Sequence, residues 1–505
     1  MQRPNVVIVL ADDMGWGDLG CYGSPIPTPN IDRLAAEGVR ATNCHAASAV
    51  CTPSRYALMT GRYAWRGPLK SFVLMGHGPS LIEPTRPTVA STLHSAGYAT
   101  GAFGKWHLGM GWRHTGGTVR DAFAPNAQLH DSVEEDHGHN IDYGEPVTGG
   151  PTAVGFDRFF GIAGSLDMPP YAFIDQQRTV GLPEQEKEHY LTEQRPGLQV
   201  PNWREEEVDV RFTEEACTWI AGQPLGSPFL CYLATSAPHR PNVPPPFIRG
   251  SSGLGERADG VCLVDWAVGQ LRAALEGRGE MENTLFIVTS DNGAPMIFTD
   301  DADLSKHRPN GDWRGQKGDL WDGGHREPLV ARWPGTIPAG TVVDAPVCLT
   351  DLLLTVAAAT NTRVPEGAAE DGISILPILT GHQSGDQTRP LVHHSLGGRF
   401  ALRSGRWKAV FALGSGGGFS EPSVDALFAS GSGRAHSNPP WDADHPEGQL
   451  FDLSADPYET TDLWSERVDV VAQLYATLKA ICRDESSGLP FDVLNFKLDE
   501  GPTLR

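Results

Sequence analysis

Several common classes of protein are excluded by what this chain lacks. Its eight cysteines, at 21, 44, 51, 217, 231, 262, 348 and 482, include no CxxC pair. That rules against both a zinc framework of the usual spacing and a dense disulfide scaffold. Cys217, Cys231, Cys262 and Cys348 lie in apolar surroundings and are expected in the core. No apolar run approaches the length that spans a bilayer. Positive charge is scarce: 40 Lys and Arg stand against 62 Asp and Glu, a formal net charge of −22. Such a balance disfavours non-specific nucleic-acid binding, so no nucleic-acid partner is expected. No Asn-x-Ser/Thr acceptor occurs, and no secretory leader is visible, since Met1-Gln2-Arg3-Pro4 runs straight into an expected apolar strand. The expected location is cytoplasmic if the chain is complete, and periplasmic or secreted if a leader has been removed.

What is present is an ordinary globular composition, with 40% hydrophobic and 20% charged residues over 505 positions. That length suits one large domain and a smaller one. The 58 glycines and 40 prolines point to many loops, the usual setting for a site assembled from several segments.

One pentapeptide organises the rest: Cys51-Thr52-Pro53-Ser54-Arg55. The following Tyr56 to Arg62 reads as a short helix, with Thr52 as its N-cap, Pro53 first in the helix and Gly61 closing it. Cys51 would sit just before a helix N-terminus, where free backbone N–H groups favour an anion. With Arg55 four residues on, the site suits chemistry on an anionic group.

Two apolar strands end in oxygen-bearing side chains. Val6 to Leu10 runs into Asp12-Asp13, and Thr284 to Thr289 into Ser290-Asp291-Asn292. Ligands of open parallel sheets bind beyond the carboxyl ends of strands, and oxygen donors there suit a hard cation such as Ca²⁺, with Mg²⁺ possible. No His or Cys accompanies them, which argues against zinc. Tyr98 to Phe103 is a third strand, leading into Lys105 and His107, which extended chain would turn to one side. Pro228 to Ala234 is a fourth, followed by Pro238-His239-Arg240-Pro241, where flanking prolines stiffen the backbone that aims His239. The His137-Gly138-His139 tract with Glu134, Glu135 and Asp136 shows no repeating ligand spacing and reads as a solvated loop.

Cys-x-Pro-x-Arg, Gly-Lys-Trp-His-Leu-Gly at 104–109 and Ala-Pro-His-x-Pro at 237–241 together resemble the type I sulfatases. These are the formylglycine-dependent branch of the alkaline phosphatase superfamily, and the likeness extends over nearly the whole chain. The resemblance implies that a maturation enzyme converts Cys51 to formylglycine, whose hydrate is the nucleophile. It implies Ca²⁺ held by Asp12, Asp13, Asp291, Asn292 and the modified residue 51. Lys105 and Lys317 would bind sulfate, Arg55 would support residue 51, His239 would protonate the leaving oxygen, and His107 would be the base that expels sulfate. Lys317 is placed by counting back from Gly323-Gly324.

The expected fold is α/β: a large, mixed, mostly parallel sheet wrapped by helices over 1–385, with a smaller antiparallel sheet and closing helix over 386–505. The alternation of strands and helices supports this class, and the resemblance supplies the sheet's alkaline phosphatase-like form. The expected reaction is hydrolysis of a sulfate ester to alcohol and sulfate, on a sulfated small molecule or glycan, with a sulfated sugar the first expectation. A phosphonate or phosphate ester hydrolase on the same scaffold, or a silent binder of sulfated glycans, are the alternatives.

Overall fold

The computed structural model describes residues 3–483, apart from 125–126, 128, 130–136, 188–190, 192–193, 297–305, 413 and 418–447. The acidic half of the His137 tract therefore lies outside the described residues. In chain order the first elements are β1 (Asn5–Ala11), α1 (Pro29–Ala36), β2 (Val39–His45), α2 (Cys51–Thr60), α3 (Val89–Ser95), β3 (Ala99–Lys105) and β4 (Arg158–Ile162). Short strands β5 (Ile174–Asp175), β6 (Arg178–Thr179), β7 (Gln185–Glu186) and β8 (Leu198–Gln199) follow. Then come α4 (Val208–Gly222), β9 (Phe229–Ala234), α5 (Glu256–Gly277), β10 (Thr284–Ser290), α6 (Asp322–His325), β11 (Arg326–Arg332), β12 (Thr341–Val343), β13 (Val347–Cys348), α7 (Leu352–Ala359) and α8 (Leu376–Leu379). The last part holds β14 (Leu391–His394), β15 (Phe400–Ser404), β16 (Trp407–Val410), β17 (Gln449–Asp452) and α9 (Val468–Cys482).

The large sheet runs in the order β12-β2-β11-β10-β1-β9-β3-β4-β5-β6, with β13 also on β2. Its centre, β10-β1-β9-β3-β4, is parallel throughout. β11 lies antiparallel between β10 and β2, and β5 is antiparallel to β4. Central strands are continuous apolar runs because both faces are covered. In β1, Val6, Ile8 and Leu10 enter a core shared with α2, α3 and α7, while Val7, Val9 and Ala11 enter one shared with α1, α4 and α5. Burying each such side chain stabilises by about 1.5–3 kcal/mol before the entropy of ordering it is counted.

β14 to β17 form a separate four-stranded antiparallel sheet. α9 closes it through Val471, Leu474 and Leu478, in a core that also takes Ala57, Tyr63 and Trp65 from the first part of the chain. The small sheet also braces the large one. Ser48 pairs with His394 at the end of β14, and the Ala49 amide donates to the His394 carbonyl at 2.9 Å. The loop entering α2 is therefore held from behind by the last quarter of the chain. Among the described residues no helix is long and apolar enough to cross a membrane.

Candidate active site

Parallel register brings together segments far apart in sequence. Ala11 pairs with Ser290 and Leu10 with Ala234, while Gly104 pairs with Ala234 on the next strand. The residues following β10, β1, β9 and β3 thus emerge side by side, at about 4.8 Å per strand. Asp291-Asn292, Asp12-Asp13, His239 and Lys105–His107 form one row.

Residue 51 faces that row from α2. The helix begins at Cys51 itself, with extended Val50 as its N-cap, two residues earlier than the boundary expected from sequence and without a side-chain cap. Thr52 is not the cap, because its Oγ1 accepts instead from the Leu74 amide at 3.1 Å. Pro53 therefore sits third in the helix, where its missing N–H falls among first-turn amides that have no intrahelical acceptor. Gly61 ends the helix as expected, at φ 66°.

Arg55 is wholly buried and acts as a bracket. Its Nε and Nη2 lie 2.8 and 2.7 Å from Asp291 Oδ2, and Nη1 donates to the Lys105 carbonyl at 3.1 Å. Lys105 Nζ is 2.5 Å from Asp12 Oδ2, and Lys317 Nζ is 2.7 Å from Asp13 Oδ1. Three buried carboxylates are thus balanced by three buried cations, without which their desolvation would be prohibitive. Burial pushes Asp12 up, but Lys105, His239, Arg55 and Lys317 outweigh it and hold the carboxyl well below its usual range. In Asp291 burial prevails, with Arg55 opposing and Asp12 adding, and the carboxyl rises to about 6.

A hard divalent cation fits this cluster. Carboxylate oxygens of Asp12, Asp13 and Asp291 lie within 4.8 Å of one another. Asp12 Oδ1 and Asn292 Oδ1 are buried acceptors with no hydrogen-bond donor, although Arg55 Nη2 stands 3.4 Å from the former. Asn292 Nδ2 donates to Asp13 Oδ1 at 2.7 Å, tying the two strand ends together. Orphaned oxygens converging in a buried pocket suit a hard cation such as Ca²⁺ or Mg²⁺, with Cys51 Sγ and a His239 ring nitrogen also near Asp12.

The two histidines present different nitrogens. His239 Nδ1 donates to the Arg240 carbonyl at 2.6 Å, leaving Nε2 3.6 Å from Asp13 Oδ2. A His239 ring nitrogen, Cys51 Sγ and an Asp12 carboxylate oxygen are mutually within 4.8 Å. His107 Nε2 donates to the Leu74 carbonyl at 2.6 Å, so Nδ1 must carry the lone pair, and it is buried without a partner. Burial, then Lys105 and Arg55, hold this imidazole neutral well below its usual range. The extended-chain argument for pairing Lys105 with His107 does not apply, because β3 ends at Lys105 and His107 takes φ 55°. Asp13 also has positive φ, 64°, and such sparsely populated conformations cluster at functional sites. Burial pushes the Cys51 thiol up to about 11, against the pull of Lys105 and Lys317. An unmodified thiol would be protonated at neutral pH and a poor nucleophile.

All the sequence-derived candidates therefore meet in one pocket. The histidine tract does not join them: exposed His139 pairs with Glu186 at 2.8 Å. Of the four cysteines expected in the core, Cys231, Cys262 and Cys348 are buried, and Cys217 is only partly so. Sequence reasoning missed Asp209 of α4. Its carboxylate accepts from the Ser236 amide at 2.7 Å and the Ala237 amide at 3.1 Å, fixing the turn that carries His239. The signal was an acid on the buried face of α4 with Val208, Phe212 and Ala216.

Comparison with known proteins fits this geometry. The sequence model of the Sulfatase family matches residues 4–362. An N-acetylgalactosamine-6-O-sulfatase of Bacteroides thetaiotaomicron is 31% identical, over 95% of this chain and 93% of its own length. Human arylsulfatase A is 32% identical, over 95% of this chain and 87% of its own. A solved Bacteroides thetaiotaomicron structure, described under the metabolism of multiple glycosaminoglycans, superposes with a TM-score of 0.78 at 28% identity, covering 95% of this chain and 99% of that one. With relatives this similar along almost the whole length, the chain belongs to the Sulfatase family, on the fold of the alkaline phosphatase superfamily.

Proposed function

We propose that this chain hydrolyses the sulfate ester of a sugar, releasing sulfate and the free hydroxyl, at residue 51. The observation that carries the reading is the setting of that residue. Two lysines anchored on carboxylates act on this buried side chain, a His239 ring nitrogen lies within 4.8 Å of its Sγ, and His107, with a different nitrogen free, follows Lys105 at the same strand exit. A silent binder would have no use for such a histidine pair. The similarity to an N-acetylgalactosamine-6-O-sulfatase supports a galactose- or galactosamine-type 6-sulfate as substrate.

The family generally works with formylglycine and a divalent metal. Asp12, Asp13, Asp291 and Asn292 would hold the cation, Ca²⁺ in our reading, which when bound supplies Lewis-acid polarisation of a sulfate oxygen. The chemistry at position 51 is that of a formylglycine made from Cys51 by a maturation enzyme, a hydrated aldehyde offering a hydroxyl. Lys105 and Lys317 hold the remaining sulfate oxygens, and their anchors on Asp12 and Asp13 fix them before substrate arrives. Arg55 locks Asp291 and the Lys105 carbonyl, and so keeps residue 51 aligned with the row of strand ends. His239, acting as an imidazolium whose Nδ1–H stays on the Arg240 carbonyl, gives its Nε2 proton to the departing sugar oxygen and is left neutral. His107 Nδ1, a lone pair kept free of protons by burial and neighbouring cations, then takes the proton that allows sulfate to leave. Residues 1–385 form the catalytic unit in this reading, and 386–505 brace it.

Peptide mass spectrometry across Ser48–Arg55, with parallel turnover of an aryl sulfate and an aryl phosphodiester, tests the proposal. An aldehyde mass at position 51 with sulfate turnover dominant is expected. Dominant phosphodiester turnover by the aldehyde form would move the chain to the phosphate and phosphonate hydrolases instead.

A further inference from the structure

Asp167 is a buried carboxylate that this reaction does not use. The chain leaves β4 at Ile162, next in the row after β3, and the two strand exits are laced together. The Trp106 and His107 amides donate to the Ile162 and Ala163 carbonyls at 3.0 and 2.9 Å. Asp167 follows five residues after β4 and is 2% exposed. Arg195 Nη1 donates to its Oδ2 at 2.6 Å, and the Arg195 amide to its carbonyl at 2.9 Å. Its other oxygen, Oδ1, is buried with no hydrogen-bond donor. Burial works against ionisation, but Arg195, His239, Arg240 and Lys105 act on the group and keep it charged.

An ionised carboxylate with an unfilled acceptor is a poor neighbour for a sulfate. It repels the anion that Lys105 must bind, and it leaves a polar atom unsatisfied. Both costs are offset if the substrate brings a donor. Its place identifies which part of the substrate that would be. Leu166, next to Asp167, lines one small cavity together with Pro238 and His239, and His239 serves the leaving oxygen, so this side of His239 lies beside the alcohol half of the ester. The geometry points to Asp167 Oδ1 as the acceptor for a hydroxyl of the sugar ring that carries the sulfate, a specificity determinant on the leaving-group side. The same charge disfavours a second sulfate or a carboxylate at the neighbouring ring position, so the class of substrate is a monosulfated sugar flanked by a free hydroxyl. This rests on the sulfatase reading given above.

The bland alternative is that Asp167 exists only to pair with Arg195. The experiment uses the full-length, formylglycine-bearing protein with two probes: a methyl galactoside 6-sulfate and an aryl sulfate without a sugar. Asp167→Asn is expected to lower kcat/KM on the sugar sulfate about 10- to 100-fold, and on the aryl sulfate by less than about threefold. Arg195→Ala, which leaves the carboxylate in place, is expected to cost less than Asp167→Asn on the sugar. Monodeoxy sugar sulfates provide the independent readout. Removing the hydroxyl that Asp167 reads should penalise the wild type and leave Asp167→Asn almost unmoved. Equal losses on both probes from Asp167→Asn and Arg195→Ala would reduce Asp167 to an ion-pair partner and overturn the proposal. So would an Asp167→Asn enzyme that keeps wild-type activity on the sugar. Wild-type turnover of the aryl sulfate with no sugar sulfate would overturn it while sparing the sulfatase reading. Turnover of neither by the aldehyde form would overturn both.

Discussion

Asp209→Asn should change how stability depends on pH. Burial raises the Asp209 carboxyl from 3.8 to about 7, and Asp12 adds to the effect, although the Ser236 and Ala237 amides work to lower it. The folded state therefore holds this proton more tightly than the unfolded chain does. Stability from this group is greatest below the unfolded value of 3.8 and is lost as pH rises towards 7, above which the loss is constant. At about 1.36 kcal/mol per pH unit, the carboxylate costs on the order of 4 kcal/mol at pH 8, of which roughly 2.5 kcal/mol accrues between pH 5 and pH 8. Asparagine carries no such proton. It keeps one backbone amide as donor and leaves the other unpaired, a loss of about 1–3 kcal/mol that does not vary with pH. Urea unfolding of both proteins, followed by tryptophan fluorescence from pH 5 to 8, isolates the effect, because all other titrations cancel in the difference. The variant should gain roughly 2.5 kcal/mol on the wild type across that range. Parallel stability profiles would refute the reasoning, and with it the assignment of a buried, destabilising carboxylate kept for the two amides ahead of His239.

His239→Ala should slow alkyl sulfates by about 10²- to 10⁴-fold and activated aryl sulfates far less, since only a poor leaving group needs the proton; equal losses would remove His239 from that role. Adding Ca²⁺ to a chelated preparation should raise the thermal midpoint, and Asp13→Ala should abolish the rise; a shift that survives in the variant would place the ion elsewhere. Gly104→Ala should prevent folding or displace Lys105, because Gly104 has φ 105° and a Cβ there would meet the Ala234 carbonyl oxygen at 1.8 Å; native near-UV circular dichroism with wild-type turnover would contradict this.

Much of the site was legible because its residues follow short apolar strands. Val6–Leu10 and Thr284–Thr289 announce themselves by composition, and acids immediately beyond a buried strand have few uses other than at a ligand. The cap of α2 was misread because Thr52 has the chemistry of an N-cap, yet Leu74, remote in sequence, claims its hydroxyl. β14 was overlooked because Leu391–His394 mixes apolar residues with histidines that become wholly buried. Lys317 was placed only by likeness to a family, since its partner Asp13 lies some 300 residues away and no local pattern records the pair. Asp167 and Asp209 escaped for the same reason. An acid's partners are set by sheet order, and sheet order is not written in any one segment.

The brace between the two sheets also sets a timetable. Cys51 is 2% exposed in the folded chain, at the start of a helix whose entry loop is pinned by His394. The maturation enzyme proposed for this site would have to grasp Cys51 together with Pro53 and Arg55 before that loop is seated. His394 is synthesised about 340 residues after Cys51, which at roughly 5–20 residues per second is a delay of about 20–70 seconds. During that delay the pentapeptide lacks its final support, so under the proposed maturation the end of the chain would act as a clock. Slowing translation between the two should raise the aldehyde fraction, and a circular permutant that makes β14 first should lower it.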